Sequence, residues 1–109
     1  MALLDKALEL GREISLTEEY RQMKLSEENL KNDQDGQILI RDFQSLKDIY
    51  ERKAMTGQEI TEDNIKELEE LEKKAMENDI VRSYYDATRR FQELIESVNT
   101  KIHEGICGE

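Results

Sequence analysis

No proline occurs anywhere in this 109-residue chain, and its apolar residues recur at three- and four-residue spacing almost from end to end. Proline is the residue that most firmly stops a helix. A chain without it is divided only by glycine, capping residues and polar clusters. Those signals fall at Thr17-Glu18-Glu19, Asn32-Asp33-Gln34-Asp35-Gly36, Gly57 to Thr61, and Asn78. They predict helices over about 2–14, 18–31, 34–56 and 62–77, and a last helix of about 24 residues from Asn78. The expected fold is all-α: a single domain over 1–109, a bundle of about five helices including long antiparallel ones. Residues 104–109 are expected as a flexible tail.

Composition agrees. Charged residues make 39% of the chain and hydrophobic ones 37%, with no tryptophan, the profile of long helices rather than of sheets or disulfide scaffolds. A net charge of −10 argues against nucleic acid as a direct ligand, since phosphate binding relies on a basic surface. One cysteine cannot form an internal disulfide, which suits a reducing compartment. Asp5 and Lys6 interrupt the N-terminal apolar run too early for a signal peptide. The longest aliphatic run, Ile38-Leu39-Ile40, is far short of a membrane span. The expected location is the cytoplasm.

The apolar stripes carry the next inference. Leu39, Phe43, Leu46 and Tyr50 step by four, three and four, widened by Ile38 and Ile49. The last helix carries Tyr84, Phe91, Leu94, Ile95, Val98 and Ile102 on one face, with Tyr85 beside Tyr84. Stripes this wide on helices this long leave apolar surface that one chain cannot cover. A homodimer, or a heteromer with a close relative, is therefore expected. The interface candidates are Leu39, Phe43, Leu46, Tyr50, Tyr84, Tyr85, Phe91, Leu94, Ile95 and Val98.

Polar clusters offer fewer prospects. Asp33, Asp35, Gly36, Ile38 and Asp42 fall on positions 3, 5, 6, 8 and 12 of a calcium loop. Position 1 would be Lys31 and position 12 an Asp in place of the bidentate Glu, so a helix cap with acids in its first turn is the better reading. Between 58 and 77 eight acids face three lysines. Glu62–Lys66, Glu69–Lys73 and Glu70–Lys74 stand at i,i+4 in the favourable order, which reads as a solvated face. Arg82 and Arg89 share a face with Asp86 between them, consistent with ion pairing on the helix. The one nucleophile–base candidate, Cys107 with His103, sits in a glycine-flanked end with no pocket to exclude water, and no glycine-rich phosphate loop is present, so an enzyme is not expected.

His103 and Cys107, the only histidine and the only cysteine, stand four apart near the end of the chain. Zinc needs four ligands, and two per chain make at most half a site. If they bind metal, they do so across an oligomer; otherwise they belong to an unliganded tail.

The order of motifs resembles the YlbF/YmcA/YheA family of small bacterial helical proteins. It is carried by Thr17-Glu-Glu-Tyr20, Lys24, Asn32-Asp33, Phe43 and Met55-Thr-Gly-Gln-Glu-Ile-Thr61, then by Asn78-Asp-Ile-Val81, Tyr84, Ala87, Phe91 and Leu94-Ile-Glu-Ser-Val-Asn99. The resemblance implies a five-helix fold, typically dimeric, with no known enzymatic centre. Two members of that family, with a third unrelated protein, form a cytoplasmic complex in Gram-positive bacteria. That complex regulates competence, biofilm formation, sporulation and mRNA processing by ribonuclease Y, and carries iron–sulfur clusters on cysteines. Members closer to YheA have no settled activity. A regulatory interaction subunit is thus the favoured function. The alternative is a zinc- or iron–sulfur-binding sensor using His103 and Cys107 between chains, although Gly105-Ile-Cys107-Gly108 has too few cysteines for a cluster of its own.

Overall fold

The computed structural model describes residues 1–108. They form five helices and no strand: α1 (Ala2–Ile14), α2 (Glu18–Lys31), α3 (Gln34–Met55), α4 (Glu62–Glu77) and α5 (Asp79–Cys107). Each junction is set by local chemistry. Thr17 joins α1 to α2: its hydroxyl donates to the Ile14 carbonyl at 2.7 Å and accepts from the Tyr20 N–H at 3.2 Å. Gly57 ends α3 at φ +82°. The Gly57 and Gln58 N–H groups bond back to the Ala54 and Lys53 carbonyls, a Schellman closure that needs the left-handed residue glycine supplies. Thr61 and Asn64 form a reciprocal capping box at the start of α4. The Asn78 carbonyl Oδ1 accepts from Ile80 and Val81 at 2.9 and 3.1 Å and so caps α5.

Contacts divide the chain into two compact units. In the unit Asn29–Ser83, α3 packs against α4. Tyr50, 9% exposed, places its hydroxyl 2.7 Å from Glu67 Oε2, to which it donates, and accepts from Asn64 Nδ2 at 3.3 Å. Ala75 and Val81 are buried beyond it. Gly36 lies inside α3 because nothing larger fits: a Cβ there would sit 2.7 Å from Asp33 Oδ2 and 3.2 Å from both Leu30 Cδ1 and Val81 Cγ2. The segment with partial calcium-loop spacing is therefore the packed start of a helix. Asp33 does occupy the N-cap position, but its carboxylate makes no cap bond; it accepts from Asn78 Nδ2 instead.

The other unit comprises residues 1–28 and the chain from Tyr84 onward. Tyr20 of α2 meets Phe91 of α5 with ring centroids 5.7 Å apart at 58°, a tilted aromatic pair. Ala87 and Ser26 are buried here. No residue of α1 is buried.

Two local expectations are revised, and the ion pairing expected on the last helix is met with a different partner for Arg82. None of the i,i+4 pairs on α4 closes to ion-pair distance among the described residues. Exposed lysine heads gain little from such pairing in water, and Glu67 of the same helix turns to Tyr50. Arg82 pairs with Asp79 at 2.5 Å rather than with Asp86, which is taken by Arg89 at 2.6 Å and Arg90 at 3.2 Å. Finally, α5 has 29 residues, so 104–107, expected in a flexible tail, form its last turn. Lys101 and Glu104 pair across that turn at 3.0 Å, and the helix stops only where Gly108 takes φ +76°.

Candidate docking surfaces

Of the interface candidates, Tyr50 is buried, and Leu39, Phe43, Leu46, Tyr84, Tyr85, Phe91, Leu94, Ile95 and Val98 are half-buried within the chain. Exposed large apolar residues on the helices include another set. Leu3, Leu4 and Leu8 lie on α1, Ile38 and Ile49 on α3, Ile65 on α4, and Ile102 and Ile106 at the end of α5. Periodicity finds an apolar stripe, but which part of it the chain covers depends on neighbours that periodicity does not reveal. The available signal for α1 was breadth: Leu3, Leu4, Ala7, Leu8, Leu10 and Ile14 in 13 residues leave little polar circumference.

A groove of about 450 Å³ between α2 and α5 is lined by Glu18, Glu19, Glu93, Arg90 and Leu94, among others. Hydrogen bonds from Arg21 and then Gln22 lower the Glu18 carboxyl to about 2. The Arg21 guanidinium donates to both its oxygens, at 2.9 and 2.5 Å, so Glu18 stays ionised as one half of an ion pair. On the α3–α4 contact, the bond to Glu67, then burial, raises the Tyr50 phenol above its ordinary value. That keeps the hydroxyl protonated as a donor.

His103 and Cys107 come together: Nε2 and Sγ lie 3.5 Å apart on the exposed surface of α5. No group of three or more His, Cys, Asp or Glu side chains among the described residues is arranged to hold a metal ion. The iron–sulfur chemistry that the resemblance implies does not fit this donor set. One thiol per chain cannot supply the cysteine ligands of a cluster.

No helix among the described residues is long and apolar enough to cross a membrane. The fold is similar to Bacillus subtilis RicA, solved in complex with RicF, with a TM-score of 0.75 at 20% identity over 98% of this chain and 95% of that one. A UPF0342 protein of Limosilactobacillus fermentum is 31% identical over 100 residues, covering 92% of this chain and 83% of the relative. A UPF0342 protein of Halothermothrix orenii is 26% identical over 106 residues, covering 97% and 90%. The family model described as control of competence regulator ComK, YlbF/YmcA matches residues 3–107, so the chain belongs to the YlbF/YmcA family.

Proposed function

We propose that this chain is a non-enzymatic subunit of a regulatory protein assembly, working in the cytoplasm by presenting helix faces to partner proteins. The observation that carries the reading is uncovered apolar side chain. Leu4 is 64% exposed, and Ile49, Ile65 and Ile106 are 48%, 47% and 77% exposed, while only four hydrophobic residues among the described ones are buried. Single exposed apolar residues are ordinary; a chain with more of them outside than inside needs a partner. Family membership and likeness to a protein solved together with a second one support the same reading.

At finer grain, the chain assembles with a relative or a second copy. The half-buried residues Leu39, Phe43, Leu46, Tyr84, Tyr85, Phe91, Leu94, Ile95 and Val98, with Tyr50, contribute to the seam. The assembly acts in the control of competence, biofilm formation and sporulation, through mRNA processing by ribonuclease Y. Affinity isolation of the tagged full chain from its native cytosol, with mass identification of what binds, tests this. A family relative together with ribonuclease Y is the expected result. A chain recovered alone contradicts it.

A further inference from the structure

We infer that His103 and Cys107 form a two-point clamp for a single zinc ion, held by one chain and without any iron–sulfur cluster. This goes beyond the subunit reading above and does not depend on it. The two side chains stand one helical turn apart on α5, with Nε2 and Sγ 3.5 Å from each other, and both are exposed. α5 continues as helix through Cys107 and turns only at Gly108, so regular helix sets the spacing of the pair. Among the described residues neither side chain makes another hydrogen bond.

Zinc bonds a thiolate sulfur at about 2.3 Å and an imidazole nitrogen at about 2.0–2.1 Å, and a tetrahedral angle between them sets the two atoms about 3.5–3.6 Å apart. The pair on α5 already has that separation. The metal takes the place of the proton in the thiol–imidazole contact, and that proton is released, since a ligating cysteine is a thiolate. The donors also select the ion. One sulfur and one nitrogen suit zinc, whereas calcium and magnesium require several oxygens. The side-chain oxygens next along the helix are engaged: Glu104 pairs with Lys101 at 3.0 Å, and the Thr100 hydroxyl donates to the Glu96 carbonyl at 2.9 Å. Two ligands fall short of a closed structural site. Catalytic zinc sites leave a position to water, however, and at this exposed end of α5 two positions are left to it. An open site of this kind needs no second chain and no further cysteine. A cluster needs several thiolates, and the chain has one cysteine.

Titration of the reduced full chain with cobalt(II), followed by displacement with zinc, tests this on wild type, His103→Ala, Cys107→Ser and, as a control, Glu104→Gln. Circular dichroism verifies that each variant keeps its helix content, as expected where the replaced side chain is on the surface. The expected result is one cobalt ion per chain, a thiolate-to-cobalt charge-transfer band, and loss of that band when zinc is added. Cys107→Ser removes the band, and Glu104→Gln leaves binding unchanged. His103→Ala weakens binding by about tenfold or more, because losing a residue that merely supports a ligand already costs that much. Affinity that His103→Ala leaves unchanged means an adventitious ion on a thiol only, and overturns the inference. Saturation at half an ion per chain, a site shared between two chains, overturns it as well. So does a brown chromophore that forms on anaerobic addition of iron and sulfide and requires Cys107.

Discussion

Asn78 and Asp33, 45 positions apart, are joined by a hydrogen bond from Asn78 Nδ2 to Asp33 Oδ2 at 3.2 Å. The same Asn78 side chain caps α5 through its carbonyl oxygen. One residue thereby fixes where α5 starts and ties that start to the entry of α3. Asn78→Ala loses both functions and should destabilise the chain by about 1–2 kcal/mol, read as a lower denaturation midpoint at unchanged slope. Asn78→Asp retains the cap acceptor but sets a second carboxylate against Asp33, so it should recover only part of that loss.

Gly36 gives a sign test. Replacing a helix-interior glycine with alanine ordinarily gains about 1 kcal/mol. At Gly36 the new methyl would meet Asp33, Leu30 and Val81, and overpacking of this kind costs about 1–3 kcal/mol. Gly36→Ala should therefore lower the melting temperature. Gly11→Ala, where nothing lies within 4 Å, should raise the helix content of α1.

The Tyr50–Glu67 bond should appear in the alkaline limb of stability. The folded state raises the Tyr50 phenol, so its contribution is fully present below the unfolded value of about 10. It is lost as pH rises through the folded value, because the unfolded chain releases the proton first. Between the unfolded value of about 10 and the higher folded value, denaturation midpoints should fall less steeply with pH for Tyr50→Phe than for wild type.

Thr88 Oγ1 is buried without a hydrogen-bond partner. An unsatisfied buried hydroxyl costs about 1–3 kcal/mol, and valine has nearly the same shape. Thr88→Val should leave stability unchanged or raise it by up to about 1 kcal/mol, where a threonine whose hydroxyl was bonded would lose stability on the same change.

The helices were legible because their ends are local chemistry. Thr17, Gly57, Thr61 and Asn78 act within a few residues of themselves, and all four stand at the junctions they predicted. The long-range partners were not legible. No spacing rule sends Glu67 to Tyr50 in place of a lysine on its own helix, or turns Asp33 from its cap to Asn78. Burial was half legible for the same reason. The stripe on α5 follows from the period, but that Phe91 is covered by Tyr20 while Ile106 is open depends on what α2 reaches. The end of α5 is not legible because glycines at 105 and 108 look alike in sequence. Gly105 continues the helix, and only Gly108 turns left-handed.

The central claim is that the faces this chain leaves uncovered are covered in its working assembly. A helix of 13 residues with nothing buried is marginal in water, so α1 reports assembly directly. Hydrogen exchange of the α1 amides, measured above and below the concentration at which the chain associates, should show protection that grows with assembly while the α3–α4 amides stay equally protected throughout. Exchange of α1 that is fast and identical at every concentration, and unchanged by an added family relative, would contradict the account.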